Sequence, residues 1–370
     1  MPVPSARIDR SHSRDRSPLI AFWIFLLGTS MGVYQPDAMA QPTFAEGTAT
    51  PSVVAPTVEP NQPSGDYDPL RVGKATIETL LLDVIEIDSN RKIPIKIYLP
   101  AEDGAPAPIV LFSHGLGGDR ESCLYLGNHW AGRGYVGVFL QHPGSDDSVW
   151  KDVPPRERMR RMGQAANFEN MQLRFRDVAV VLDQLEKWNR QADHELKGRC
   201  NLEKVGMSGH SFGAVTTQGV SGQTFFGQTR WTDNRIKAAV IFSPSAPRVG
   251  TTKNAFGNVK LPWLLITGTN DVAPIGNVDV QNRLSVYEPL PADGRKYQLV
   301  LDQAEHSAFT DRELPGERTN RNSNHHRAIL GITTSFWDVY LKDDSQAKAF
   351  LNSSDRVRQL LEPKDQWDQK

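Results

Sequence analysis

The run Val205-Gly206-Met207-Ser208-Gly209-His210-Ser211-Phe212-Gly213-Ala214 decides how the rest of this chain is read. An apolar segment enters Gly-x-Ser-x-Gly and leaves into small residues that suit a helix, the pattern of a strand turning sharply into a helix with a serine at its apex. Such a turn strains the serine backbone, and Gly209 and Gly213 carry no Cβ atom to collide with the neighbouring strand and helix. Chance would supply about 0.1 copies of the pentapeptide in a chain of this length. Ser211 is therefore the candidate nucleophile.

Outward from this turn the chain alternates buried strands with helices. Upstream, 74–87 and 92–99 read as two strands joined by the polar turn Asp88-Ser89-Asn90-Arg91, with Ile93, Ile95, Ile97 and Leu99 alternating as one buried face. The unbroken apolar run 109–112 is of the kind buried on both faces in a parallel sheet. It ends in Ser113-His114-Gly115-Leu116-Gly117-Gly118, and a helix carrying Leu124, Leu126 and Trp130 follows. A strand at 135–140 comes next, and then 171–190 sets Val178, Val181, Leu182, Leu185 and Trp188 at helical spacing. Beyond the elbow, Gly219 and Gly222 soon interrupt the helix. Strands at 236–242, 261–267 and 297–301 follow, and a helix at 324–342 closes the series. This rhythm predicts an α/β fold, with a mostly parallel central sheet and helices on both faces. Ligands of such sheets bind at the carboxyl ends of the strands, where Ser211, Asp271 and His306 all fall.

A serine hydroxyl needs a base to take its proton as it attacks a carbonyl. His306, after the last of these strands, is the candidate base, because an imidazole with an ordinary pKa of about 6.5 can accept that proton and return it to the leaving group. Asp271, after the strand 261–267, would hold the other ring nitrogen and fix the tautomer, with Asp279 and Asp302 as alternative acids. The order Ser, Asp, His is that of α/β-hydrolases. Backbone N–H groups of Phe212 and Leu116 are the candidate oxyanion-hole donors.

Three pieces carry a family resemblance. These are GHSFGA at 209–214, Ser113-His114-Gly115-Leu116-Gly117, and Gly-Tyr-Val-x-Val-Phe-x-x-His from Gly134 to His142. Together they resemble α/β-hydrolases of the platelet-activating-factor acetylhydrolase and dienelactone-hydrolase-like group, over roughly 75–342. The resemblance implies the α/β-hydrolase fold and a serine esterase, with Ser211, Asp271 and His306 as triad and Leu116 and Phe212 at the oxyanion positions. Dienelactone hydrolases use a cysteine nucleophile where this chain has serine, which argues against dienelactone as the substrate. The expected activity is cleavage of a small-molecule or lipid-like carboxylic ester through an acyl-enzyme intermediate. A peptidase or polyester hydrolase on the same fold is the alternative, and a non-catalytic binding protein of that fold is a further one.

The remaining features bound that reading. The 370 residues are 39% hydrophobic with a formal charge of -1, a balance that gives no basic surplus for nucleic acid. No phosphate-binding loop, dinucleotide fingerprint or cysteine cluster occurs, and no cofactor is expected. His325 and His326 are adjacent and so face different sides of a helix, which argues against a shared metal ion. Arg7, Arg10, Arg14 and Arg16, an apolar stretch at 18–33 and Ala38-Met39-Ala40 form a secretory signal expected to be cleaved before Gln41. That stretch is short for a membrane anchor, so a periplasmic or secreted protein is expected. The proline-rich segment 41–73 reads as a disordered leader, and 74–370 as one α/β-hydrolase domain. Residues 149–170 form a basic insertion, read either as a cover over the site or as a solvated helix face. Cys123 and Cys200 fall near opposite ends of the sheet, too far apart for a disulfide.

Overall fold

The apolar runs become the middle strands of one sheet, and the polar stretches after them become the loops that carry chemistry. The computed structural model describes residues 66–370 except 74–75, 102–104, 277, 314–316 and 318–320. The expected export signal, and the leader as far as residue 65, lie outside the described residues.

The amino-terminal part comprises β1 (Glu78–Glu86), β2 (Arg91–Leu99), β3 (Ala107–Ser113), α1 (Leu124–Gly132) and β4 (Val136–Leu140). It continues through α2 (Pro155–Ala165), α3 (Phe168–Arg190), β5 (Cys200–His210), α4 (Phe212–Val220), β6 (Ile236–Phe242) and α5 (Thr252–Phe256). After these come β7 (Trp263–Asn270), α6 (Val280–Leu284), β8 (Lys296–Glu305), α7 (Ser323–Lys342), α8 (Ser345–Leu351), α9 (Ser354–Arg358) and β9 (Gln366–Gln369). Among the described residues the strands form a single sheet in the order β1-β2-β4-β3-β5-β6-β7-β8-β9. Neighbours from β4 to β8 run parallel, while β1, β2 and β9 add antiparallel edges.

Side chains of a strand alternate between the two faces, and both faces here are covered. On β3, Val110 and Phe112 join Leu126 and Trp130 of α1 and Ile332, Phe336 and Trp337 of α7 in one core. The intervening Ile109 and Leu111 pack with Val178, Val181, Leu182 and Leu185 of α3. Further along the sheet, Ala239, Ile241 and Leu265 meet Ala214 of α4 and Phe256 of α5. This is why the central runs carry no polar alternation.

Three expectations need correction. The leader does not extend to residue 73, because 66–73 pack on the domain. Tyr67 donates to Asp338 Oδ2 at 2.7 Å, Arg133 donates to the carbonyl of Arg71 at 2.8 Å, and the Gly73 N–H reaches the Gly132 carbonyl at 2.9 Å. A proline-rich composition does not disclose such anchoring by a single tyrosine. Second, of the two glycines expected to interrupt α4 only Gly222, at φ 121°, lies beyond its end at Val220, whereas Gly219 is within the helix and makes room for the Phe175 ring of α3. Third, α8, α9 and β9 extend the fold past the helix expected to close it. Cys123 and Cys200 are free and buried.

Candidate active site

The elbow joins β5 to α4, with Ser211 at φ 59° and ψ -112°. For a residue with a side chain this conformation costs on the order of 1–3 kcal/mol, and the surrounding structure must hold it. Close packing does so. The Ser211 N–H bonds to the Phe242 carbonyl of β6 at 3.0 Å, and a Cβ on Gly213 would overlap the carbonyl oxygen of Ser113 at the end of β3. Gly213→Ala is therefore expected to destabilise the fold by about 3 kcal/mol, the upper end for overpacking, as measured by urea denaturation. A change below about 0.5 kcal/mol would show that the elbow yields more easily than this packing implies.

His306 opens a short 3-10 turn, His306–Phe309, directly after β8, and Asp271 directly follows β7. Because β5, β7 and β8 run in one direction, the three residues emerge at the same end of the sheet. His306 Nε2 lies 2.9 Å from Ser211 Oγ, and His306 Nδ1 lies 2.6 Å from Asp271 Oδ1. Asp271 is fully buried, and its Oδ2 accepts from Thr267 Oγ1 at 2.8 Å. The alternative acids are occupied elsewhere. Asp279 caps α6 by accepting from the Asn282 N–H, and the Asp302 carboxylate has the neighbouring Gln303 side chain at 3.5 Å, whereas His306 Nδ1 meets Asp271.

The Phe212 and Leu116 N–H groups, the candidate oxyanion donors, are left unpaired by the backbone around them among the described residues. The Ser211 carbonyl accepts from Ala214 and Val215 along α4, so the Phe212 N–H of the same peptide points out of the helix start. In the loop after β3, the Gly115 carbonyl accepts from the Gly118 N–H at 3.1 Å and from His114 Nδ1 at 2.6 Å, which sets the Leu116 N–H opposite. Neither the Leu116 nor the Phe212 N–H meets an acceptor among the described residues.

A cationic side chain stands beside the Asp271–His306 pair. Arg283 of α6 is 1% exposed and donates through Nε to the Asp271 carbonyl at 2.8 Å and through Nη1 to the Ser243 and Pro244 carbonyls at 2.8 and 3.1 Å. Its Nε is also 2.9 Å from Asp271 Oδ1. Burial opposes the Asp271 charge, yet the hydrogen bond from His306, with the His306 and Arg283 charges, draws its pKa down to about 2. For Arg283 burial dominates and lowers the pKa, against the pull of Asp271. His210, whose ring centre lies 4.7 Å from that of His306 with the planes tilted by 42°, is held neutral chiefly by burial. Its Nε2–H donates to the His306 carbonyl at 2.9 Å and so fixes the backbone of the candidate base.

The family model described as platelet-activating factor acetylhydrolase, isoform II, matches residues 74–314. The chain belongs to that family. A platelet-activating factor acetylhydrolase from Cavia porcellus is similar to it, 24% identical over 176 residues that make up 41% of this chain and 38% of that protein. This chain thus spans about two fifths of the length of that curated relative. The sheet and its flanking helices are the family's α/β-hydrolase fold.

Sequence patterns did not reveal a second buried Ser–His–Asp chain in this acetylhydrolase-family domain. Ser113 Oγ donates to His142 Nε2 at 2.9 Å, and His142 Nδ1 donates to Asp177 Oδ2 at 2.8 Å. Asp177 is in turn held by Arg91 Nε at 2.7 Å. All three members of the chain are at most 1% exposed, so it cannot meet a substrate. Burial, with the nearby Arg174 charge, takes His142 down to about 4 and keeps it neutral. Family resemblance quoted both Ser113 and His142, but nothing local joins them to Asp177 on α3.

Arg283 likewise has no local signature. Removing it would leave the Asp271 carboxylate buried without its cation. Arg283→Leu is expected to destabilise the fold by about 3–5 kcal/mol in urea denaturation, and a loss under about 1 kcal/mol would show the pair to be dispensable.

The expected basic insertion reaches the loop after β3. Trp150 Nε1 donates to the Gly117 carbonyl at 2.7 Å, and Arg158 of α2 lies 5.5 Å from the Trp150 ring centre. Arg156, Arg160 and Arg161 are exposed. The insertion therefore touches the loop after β3 through Trp150 and presents a solvated basic face. His325 and His326 bond separate backbone carbonyls, those of Asp302 and Ala308.

Proposed function

We propose that this protein is a serine hydrolase that cleaves carboxylic esters through an acyl-enzyme on Ser211. The observation that carries the proposal is the continuous Ser211–His306–Asp271 chain at 2.9 and 2.6 Å, set beside two N–H groups with no acceptor among the described residues. In the first half-reaction His306 Nε2 takes the Ser211 proton as Oγ attacks the ester carbonyl. Leu116 and Phe212 N–H groups receive the negative charge on the carbonyl oxygen, a contribution of roughly 3–4 kcal/mol per donor in comparable sites. The imidazolium, steadied by Asp271, protonates the departing alcohol. In the second half-reaction a water attacks the acyl-serine with the same base and donors. Each step uses protein groups alone.

The family's name points to short acyl groups on a lipid-like alcohol, and short-chain esters are the proposed substrates. Among the described residues no helix is long and apolar enough to cross a membrane. Export to the periplasm or the medium is proposed from the amino-terminal signal, and mature protein beginning at Gln41 would bear it out. A panel of p-nitrophenyl esters of increasing acyl length, run beside a lactone and a peptide, tests the activity. Highest kcat/KM on the acetyl or propionyl ester is expected. Cleavage of the peptide with no ester turnover would replace the esterase reading by a peptidase.

A further inference from the structure

Arg174 of α3 is 0% exposed, yet none of the acceptors bonded to it is a carboxylate. Its Nε donates to Ser145 Oγ at 2.8 Å and its Nη1 to the His114 carbonyl at 2.7 Å. Weaker bonds run from Nη1 to Ser113 Oγ at 3.4 Å, and from Nη2 to the Ser145 and Gly115 carbonyls at 3.3 and 3.5 Å. The guanidinium carbon sits 4.5 Å from the centre of the Phe212 ring. Thus one side chain touches the two residues that precede Leu116 and also touches Phe212 itself.

We propose that Arg174 is the positioning residue of the oxyanion hole, holding the Leu116 loop by its carbonyls and the start of α4 by the Phe212 ring. The inference rests on the proposed function, in which the Leu116 and Phe212 N–H groups form that hole. A peptide unit is planar, so the orientation of the Leu116 N–H follows from where the Gly115 carbonyl is held. Arg174 reaches that carbonyl at 3.5 Å, adding to the shorter bonds from His114 Nδ1 and the Gly118 N–H, and acts chiefly through the preceding His114 carbonyl at 2.7 Å. Its bond to Ser145 ties in the far side of the loop, because the Ser145 carbonyl also accepts the Gly117 N–H at 2.9 Å. The Ser113 hydroxyl, which Arg174 Nη1 also meets, is held by His142, and His142 by Asp177, so the last residue of β3 is anchored as well.

The chemistry explains why the position holds arginine. A guanidinium offers five N–H donors in one rigid plane and a flat face for an aromatic ring, whereas an ammonium offers three donors about a point. The Arg174 plane meets acceptors along its edge and the Phe212 ring at its face, a combination lysine cannot reproduce. The two donor segments come from strands β3 and β5, and nothing in their local sequence sets the distance between them. Displacing a donor by about 1 Å can cost about 100-fold in rate.

The test is Arg174→Lys in the full chain, assayed on p-nitrophenyl acetate and with a trifluoromethyl ketone that mimics the tetrahedral intermediate. Expected are a kcat lowered by on the order of 100-fold with KM within about 3-fold, and a ketone affinity weakened in the same proportion as kcat/KM. A role in folding alone would lower the active fraction without weakening the ketone on the protein that remains. Wild-type kcat in folded Arg174→Lys, or a lowered kcat with unchanged ketone affinity, overturns the proposal. Should Arg174→Lys fail to fold, Ser145→Ala removes the acceptor of Nε together with the longer Oγ bond to the His142 carbonyl at 3.2 Å, leaves every other Arg174 bond in place, and roughly 10-fold lower kcat at constant KM is expected. Unchanged kcat in Ser145→Ala would then overturn it. Ser211→Ala is the control for the underlying reading. If it keeps full activity the nucleophile assignment fails and this inference with it, whereas an inactive Ser211→Ala beside a fully active Arg174→Lys defeats the positioning role alone.

Discussion

Ser211→Ala is expected to lower kcat on short-chain esters by on the order of 10⁴ or more, with the fold intact. The hydroxyl is the only atom removed, and its one side-chain partner is His306 Nε2 at 2.9 Å. The strained φ of 59° persists because it is set by the Phe242 carbonyl and by the packing of the elbow, neither of which involves Oγ. Thermal melting and circular dichroism should therefore match the parent protein. Residual hydrolysis would come from the oxyanion donors acting on water. A loss of less than tenfold would mean that Ser211 is not the attacking group.

Asp271→Asn is expected to reduce kcat by roughly 10⁴, although the shape of the site is retained. The carboxylate holds the proton on His306 Nδ1 at 2.6 Å, leaving a lone pair on Nε2 for the serine proton. Arg283 makes this dependence steeper. Its Nη2 lies 3.1 Å from the same Nδ1, and once the carboxylate charge is gone that N–H donor favours the lone pair on Nδ1. The proton then moves to Nε2, facing Ser211, and the ring is no longer a base. Asp279→Asn still caps α6 and should leave kcat unchanged, which separates the two acids by one assay. Full activity in Asp271→Asn would refute the assignment.

The titration of Asp271 has a definite sign. Its folded pKa of about 2 lies below the ordinary aspartate value of about 3.9. Its pairing therefore contributes stability that is fully present above about pH 4 and lost as pH falls through about 2. Over the range in which esterases are assayed Asp271 therefore stays ionised and is not the source of an acid limb in kcat. An acid limb that disappeared in Asp279→Asn would point to a different acid.

The legible parts of the site are those whose chemistry is written in consecutive residues. Gly209 to Gly213 announces a turn because that spacing of glycines lets β5, α4 and the end of β3 meet, and Asp271 and His306 were candidates because each lies within a few residues of the end of an apolar run. Burial of the central strands on both faces also followed from the runs, since 109–112 and 135–140 carry no polar face, whereas the order of the strands did not. What stayed hidden depends on residues distant in the chain. Arg174 reaches back to His114, Asp177 reaches His142, and Arg283 reaches Asp271 and His306, and a buried cation looks in sequence like any arginine on a helix. The polar edge strand β9, Gln-Trp-Asp-Gln, offers no alternation to read. Residues 66–73 looked like leader because a proline-rich composition outweighs the single Tyr67 that anchors them.

Fluorophosphonate labelling of the folded full-length chain, followed by peptide mass mapping, tests the central claim most directly. The phosphonyl group should form one bond to one oxygen, that of Ser211, with loss of fluoride and in parallel with the loss of esterase activity. Labelling should vanish in Ser211→Ala and slow severely in Asp271→Asn. An unlabelled Ser211 in protein that still hydrolyses esters, or a label carried by another residue, would contradict the account.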